Sequence, residues 1–571
     1  MRNYIRQISL FLIFAIFSGF KTPGDSEDYL SLYSSAPYFA GFSPPDTAQI
    51  WPKIYGGNLS TGGDDVDETY DQGYLITGNM ISSTGLKIMG ILLKTDVNGN
   101  MLWEKRVGSS SYFLSLNDSY MTSDGGLIMI GTTMKLDEYG DAFIVKLDAC
   151  GNTEWCKIYS VPDDLDSGVR IIQLSDGKYV AQINYFGYDN AYKRVWLFCL
   201  NHDGDLLWQK VYCTNNPELA HSWGFDLIIA SDSSYIVSGT TTVEWPIGSG
   251  LWWGEPLLIK SDKNGEELFA KAFQYDKNIY YGLAYRVAED INGNYFVTSK
   301  NYYDSILHSS PGALVKFDSN GNGLNWMNLW APMYWGGTCS TVDFISPDTM
   351  LVTGGFVAGF DSAYATAYIM DTSGQVLNET VLKYDPDGNV VTKTILTSNS
   401  KALMTATFWN GIPAKCDMYL FKMDYNLEYD TMDPRVLTYD SLCPNLSIVS
   451  DTIDPDCDII VGLEDVFEDP DRNSLKIIPN PAREKVTISL PEVWLSEYST
   501  PEVQIQTAKY TFPKNLHIEV FDSFGRFVYS LDIPDGNTSI IVHATNWKPG
   551  LYIVRLLISN QEITSKKVII N

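Results

Sequence analysis

The stretch Lys94-Thr95-Asp96-Val97-Asn98-Gly99-Asn100-Met101-Leu102-Trp103-Glu104-Lys105 decides how the chain is read, because it returns. Lys146-Leu147-Asp148-Ala149-Cys150-Gly151-Asn152-Thr153-Glu154-Trp155-Cys156-Lys157 repeats its Lys, Asp, Gly, Trp and Lys in the same places. A third copy has Asn201, Gly204, Trp208 and Lys210. Weaker copies have Asp262, Gly265, Phe269 and Lys271, then Asp318, Gly321 and Trp326. Asp371 with Gly374 makes a sixth, and Asp424 to Leu427 a worn seventh without the glycine. The turn positions lie 52 to 61 residues apart, a period that points to propellers or solenoids.

Each unit carries four short β segments. In the second unit these are Leu116 to Thr122, Leu127 to Thr133, Ala142 to Asp148 and Thr153 to Tyr159. Asp124-Gly125-Gly126 joins the first pair and Cys150-Gly151 the last, glycine supplying the positive φ of tight turns. Such a unit is a propeller blade in outline. A lone four-stranded sheet cannot bury both faces, so neighbouring units must cover it, and the repeated Trp reads as the packing anchor between them. Trp51, Lys53, Tyr55 and Gly56 match the last strand of a unit yet precede the first full one, while the seventh unit lacks a Trp there. The N-terminal strand is therefore expected to complete the last blade of an all-β, seven-bladed β-propeller over 50–440, leaving no open edge.

The two ends differ in kind from this body. Arg2 and Arg6 precede the apolar run Ile8 to Phe17, which reads as a signal peptide over 1–20. That run is shorter than the roughly 20 residues of a spanning helix, so the mature protein is expected to have no transmembrane segment. No Cys precedes Cys150, which argues against an N-terminal lipid anchor. Among the eight Cys of an exported chain, Cys443 and Cys457 are expected to pair and staple the segment between them. From Asp451 to Asp471 stand nine acids and no base, so 441–474 reads as an extended acidic linker to a second domain at 475–571. A net charge of −29 repels phosphate backbones and anionic membranes and excludes nucleic acid as a partner.

The second domain opens on Pro479-Asn480-Pro481-Ala482, followed by the alternating Val486, Ile488 and Leu490. Val520, Asp522, Gly525, Arg526 and Val528 make a strand–turn–strand. Pro549, Gly550, Tyr552, Val554 and Leu556 make a further strand, and Lys566, Lys567 and Val568 come last. In this order the motifs resemble the type A C-terminal sorting domain of the type IX secretion system. The insertion Pro491 to Asn515 is longer than that domain usually carries. The resemblance implies an immunoglobulin-like β-sandwich, read by the type IX secretion machinery and removed by its sortase-like peptidase, and delivery to the outside or to the outer-membrane surface. The body, over roughly residues 50 to 430, resembles the D-G-G-Y and D-x-x-G-x-x-x-W propeller repeats of large secreted proteins of the Bacteroidota, a likeness that speaks for fold and not for activity.

Catalytic signatures are missing. There is no H-E-x-x-H, G-x-S-x-G or phosphate-cradling loop, and the five His are isolated, His221 and His308 reading as solvated loop residues. The repeat is also similar to the tryptophan-docking unit of quinoprotein dehydrogenases, but their adjacent Cys-Cys pair is absent, which leaves a quinoprotein-like oxidoreductase a remote alternative. Binding has more support. In a meander the loop between strands two and three shares a face with the connection to the next blade. Trp245, Trp252, Trp253, Tyr302, Tyr303 and Trp409 fall in the first loop set, and Trp223, Tyr334 and Trp335 in the second. Beside them stand Asp64, Asp65 and Asp67, then Asp163, Asp164 and Asp166, then Asp385 and Asp387. Rings beside carboxylates suit a glycan or a protein ligand. The acid triplets lack the D-x-D-x-D-G pattern, so no cofactor is assigned and calcium stays only an open candidate. The expectation is a non-enzymatic binding module, with a polysaccharide-active enzyme as the alternative.

Overall fold

The computed structural model describes residues 50–56, 59–81, 88–109, 111–135, 140–161, 165–186, 193–213, 219, 221–244, 252–273, 279–280, 282–300, 303–304, 312–329, 336–357, 363–385, 389–410, 415–434, 450–461, 476–478, 485–489, 516–522, 526–533, 539–558 and 561–570. The signal segment at 1–20 lies outside them. The chain divides into two compact units, 1–461 and 462–571.

The first unit is all-β and propeller-like. Among the described residues, seven antiparallel meanders follow one another, each of four strands in simple up-and-down order. Their first strands are Ser60–Glu68, Leu114–Met121, Leu165–Gln173, Ser222–Ile229, Ala284–Glu289, Gly336–Ser346 and Asn389–Leu396. Each first strand packs on the sheet before it, and Ser60–Glu68 packs on the seventh sheet, so the series closes on itself. The seventh sheet takes its fourth strand from the other end of the chain: Lys53–Tyr55 pairs antiparallel with Lys415–Met423, Lys53 opposite Leu420. The expected closure by the N-terminal strand is present. Continuing that register sets the Trp51 ring beside Lys422, whose Nζ lies 5.8 Å from its centroid, so Trp51 supplies the aromatic that the worn seventh repeat lacks.

Each conserved-looking place in the repeat has a mechanical duty. The buried Lys of the third strand ion-pairs with the Asp of its own sheet's first turn, as in Lys94–Asp71 at 2.9 Å and Lys260–Asp232 at 2.7 Å. The Asp of the second turn caps that turn: Asp96 Oδ1 accepts from the amides of Asn98 and Asn100. The aromatic of the fourth strand covers the turn glycine of the next sheet. At Gly204, with φ of +80°, a Cβ would stand 2.8 Å from Trp155 Cζ3. Four residues on, a tyrosine hydroxyl donates to that glycine's carbonyl: Tyr55 to Gly99 at 2.6 Å, Tyr159 to Gly204 at 3.1 Å, Tyr212 to Gly265 at 2.8 Å. The fifth unit departs from the sequence reading. Asn325, not Trp326, stands opposite Lys316, because Trp326 lies one residue farther from the turn than the aromatic of the other copies while the strand begins at the same place.

Two sequence expectations change at the end of this unit. The stretch 450–461, read as extended linker, is a strap on the outer edges of two sheets. Asp451–Ile453 runs parallel to Met101–Val107 and Asp458–Val461 parallel to Thr153–Ser160. Its acids have a reason to be there. Asp451 meets Lys105 at 2.6 Å and Asp458 meets Lys157 at 3.1 Å, both lysines closing a repeat motif. This parallel register brings Cys457 to Cys156, with Cα atoms 4.5 Å apart, and the two form a disulfide. The expected Cys443–Cys457 pairing is thereby overturned. Cys443 itself lies outside the described residues, and Cys150 is disulfide-bonded too.

The second unit has two sheets. Lys476–Ile478, Lys485–Ser489 and Ser539–His543 form one, and Phe527–Asp532, Leu516–Asp522, Gly550–Ile558 and Gln561–Ile570 the other. Alternate residues of both, including Val486, Ile488, Ile518, Val520, Val542, Val554 and Val568, share one buried core, as the period of two along their strands requires. No helix among the described residues is long and apolar enough to cross a membrane.

Candidate functional site

Every first strand of the ring carries a register shift at the same level: Gly63/Asp65, Leu116/Asp118, Gly168/Arg170, Gly224/Asp226, Ala284/Val287, Cys339/Thr341 and Val391/Lys393. A bulge re-aims the side chain beside it. Here that places Asp65, Asp118, Arg170, Asp226, Arg286 and Lys393 in one buried network. Arg170 bonds Asp118, lies 3.9 Å from Asp65, and sets Nε 3.0 Å from Asp226 as an ion pair without hydrogen-bond alignment. Arg286 Nη1 reaches Asp226 at 3.3 Å, its Nη2 donates to the Thr392 carbonyl at 2.9 Å, and Lys393 meets Asp65 at 3.2 Å. The second oxygen of each acid accepts a backbone N–H from the next sheet: Asp65 from Ser119, Asp118 from Ile171, Asp226 from Val287. Charges that would be ruinous if buried alone are thus paired and hydrogen-bonded.

The acids on the same strands with fewer partners are the chemically open ones. Burial pushes the Asp343 carboxyl up to about 8, against the pull of Lys393 and with the repulsion of Asp226. Burial likewise lifts Asp64 to about 7, opposed by its hydrogen bond from Asn79 at 2.6 Å. Asp67 is raised by burial and by Asp65. Asp64, Asp65 and Asp67, read from sequence as a loop cluster, are therefore residues of an inner strand. Among the described residues, no group of three or more His, Cys, Asp or Glu side chains is arranged to hold a metal ion.

The described aromatic candidates gather at one end of their sheets, where the second strand gives way to the third. Trp252 and Trp253, expected in a loop, begin the third strand of the fourth sheet opposite Glu244 and Val243. Trp409 ends the second strand of the seventh sheet opposite Cys416, and Tyr303 pairs with Tyr280 in a two-stranded ribbon. Trp245, Tyr302, Tyr334 and Trp335 lie outside the described residues. At the same end, the third and fourth sheets meet in a corner that sequence reading did not assemble. His221 bridges Lys193 in parallel fashion, so it is a half-buried residue between sheets and not a solvated loop histidine. The Lys193 ammonium sits 4.2 Å from the centroid of Trp223 and 5.7 Å from that of Phe186. Burial lowers the Lys193 pKa, and burial with the cations of Arg194 and Lys193 lowers that of His221. The signal available was the heading of adjacent strands by Lys193-Arg194 and His221-Ser222-Trp223.

In the sorting-type unit, Arg526 Nε meets Asp522 Oδ2 at 2.7 Å across a turn, and Tyr552 donates to the Lys548 carbonyl at 2.7 Å. Gly550 begins a strand, and Lys567 stands opposite Ile553 on the last one. Pro479, Asn480, Pro481 and Gly525 lie outside the described residues.

These features define an exported all-β protein with a propeller-like body. Residues 476–571 match the secretion system C-terminal sorting domain, which directs type IX export to the cell surface or beyond. No curated protein matches the chain. Solved structures similar to it include a polysaccharide lyase of family PL25, an ulvan lyase, at 9% identity and TM-score 0.45, covering 65% of this chain and 96% of that one. A levansucrase mutant from B. megaterium shares 10% identity at TM-score 0.32, covering 48% and 86%. The β-propeller domain of the Trilobed protease from Pyrococcus furiosus shares 8% at TM-score 0.37, covering 66% and 98%.

Proposed function

We propose that the seven sheets form a seven-bladed propeller acting outside the cell as a non-enzymatic binding module for a glycan, one end of the ring being its binding face. The immunoglobulin-like C-terminal sandwich carries it through the type IX machinery and is then removed by the sortase-like peptidase. The supporting observation is the difference between the two ends of the sheets. One end consists of short turns whose Asp carboxylates are spent on their own amides, as at Asp96, Asp148 and Asp318. The other gathers Trp252, Trp253, Trp409 and the Lys193–Trp223 corner. Aromatic rings with a few polar groups are what a sugar face needs. Glycan-array binding by the exported protein without release of product is the expected result. Trp252→Ala with Trp253→Ala should abolish that binding at unchanged melting temperature; retained affinity refutes this face. Removing 475–571 should leave the protein in the periplasm.

A polysaccharide-active enzyme is the second reading, favoured by carboxyls held near neutrality at Asp64 and Asp343, as general acids require. Oligosaccharide release from a defined polysaccharide, lost in Asp343→Asn, would establish it in place of the first.

A further inference from the structure

Most lysines that turn inward hold a carboxylate. Among the described residues, half-buried Lys316, 4.7 Å over the Phe296 ring, and half-buried Lys193 do not, and of these two Lys193 stands at the candidate face. Lys94, Lys146, Lys260, Lys393 and Lys422 each hold a carboxylate within 3.2 Å. Lys193 is half-buried, yet among the described residues no carboxylate lies within ion-pair distance and no protein acceptor takes any of its three N–H donors. Its ammonium is held by ring faces instead, at 4.2 Å over Trp223 and 5.7 Å over Phe186, in a chain of net charge −29 where acids are plentiful. A cation kept among rings without a counter-charge is costly unless something else supplies one. The neighbouring charged groups add to the demand. Arg194 follows Lys193 on the strand, and both cations act on His221 across the sheet boundary. Trp223 is fixed in turn by Phe225, 6.4 Å away edge to face, and Phe225 by Tyr285 at 5.6 Å. The ammonium therefore has a defined place.

We propose that the Lys193–His221–Trp223 corner is a subsite for an anionic group, carboxylate or sulfate, carried on a saccharide. Lys193 donates to the anion, and Trp223 is a positioning residue that holds the ammonium. One recessed cation among aromatic rings suits a single charged sugar ring, whereas an acidic peptide with many carboxylates needs many cations. This deepens the glycan-binding reading and rests on it.

The test is calorimetric titration of the exported protein with tetragalacturonate, its methyl ester, a sulfated galactan oligosaccharide and polyglutamate. A charge-assisted contact should make one of the acidic saccharides bind about tenfold tighter than the neutral ester. Lys193→Met should erase that difference, bringing the acid down to the affinity of the ester, while Lys193→Arg should keep it. A preference for galacturonate identifies the carboxylate and a preference for the sulfated probe the sulfate. Equal binding of acid and ester, or a Lys193→Met protein that still discriminates, overturns the subsite while the binding face survives. Tighter binding of polyglutamate overturns the saccharide. Failure of every glycan on an array overturns both readings together.

Discussion

Arg170 on the third sheet sets its Nε 3.0 Å from Asp226 on the fourth, while its Nη1 holds Asp118 on the second. One guanidinium thus answers carboxylates from both neighbours, with Asp65 of the first sheet 3.9 Å away. Breaking a buried pair from one side costs more than the pair is worth, because the partner charges remain. Arg170→Met should therefore destabilise the ring by roughly 3–5 kcal/mol in denaturant unfolding. Arg170→Lys should recover only part, since an ammonium cannot serve the same fork geometry. A loss under about 1 kcal/mol for Arg170→Met would show the network to be dispensable.

Asp343 gives the ring a pH dependence of definite sign. Its carboxyl ordinarily titrates near 3.8 and burial raises it to about 8, so between these values the folded state binds a proton that the unfolded chain has released. Stability from this group is full only below its ordinary value near 3.8 and is lost steadily as pH rises from there to about 8. Asp343→Asn removes the liability. Its margin over the parent in melting temperature should widen steadily between pH 5 and pH 8 and level off above, each unit of pH being worth up to about 1.4 kcal/mol. A constant offset across that range would assign the effect to packing instead.

How much of this was legible beforehand follows from which features are local. The Asp-x-x-Gly turns and the Trp four or five residues after the glycine repeat along the chain, so units, strand order and the Trp51 closure could be read from spacing. The disulfide could not: Cys156 and Cys457 are 301 residues apart, and only the strap's parallel register brings them together. The axial network was half legible. Asp65, Asp118 and Arg170 recur at nearly the repeat period, but opposite signs at equivalent places do not look like one motif. Asp64 to Asp67 was misplaced because acids suggest loops, whereas here bulges turn them onto buried partners. Lys193 and His221 were missed because pairing across two sheets leaves no spacing to find.

The strap should be the first element released on reduction. Its strands are only three and four residues long, and besides Lys105 and Lys157 they are held by hydrogen bonds from Tyr112 to Asp454 and from Lys135 to the Pro455 carbonyl, with Cys457 as the covalent tie. A crosslink closing so long a loop is worth roughly 5 kcal/mol in the chain-entropy view, but releasing the strap exposes only the edges of two sheets. Cys457→Ser should therefore make the segment 450–461, which carries Asp451, Asp454, Asp456 and Asp458, cleavable by an Asp-specific protease in native buffer, with the ring intact by circular dichroism. Unchanged resistance would mean that the ion pairs Lys105–Asp451 and Lys157–Asp458 and the hydrogen bonds to Asp454 and Pro455 suffice without the crosslink.

Closure of the ring rests on a pairing that can be tested by coupling. Trp51 is 2% exposed, and its Cη2 would stand 2.8 Å from a Cβ at Gly99, whose carbonyl accepts the Tyr55 hydroxyl. Trp51→Ala should cost roughly 3–5 kcal/mol by emptying the joint between the seventh and first sheets. Gly99→Ala should cost on its own account twice over, through the contact with the indole and through a φ of +72° that a Cβ resists. Only the first part is relieved when the indole is gone. The double variant should therefore be more stable than the sum of the single losses by about 0.5–3 kcal/mol, the remainder of the Gly99 penalty persisting as backbone strain. Strict additivity would place Trp51 away from that turn and leave the seventh sheet closed by backbone pairing alone.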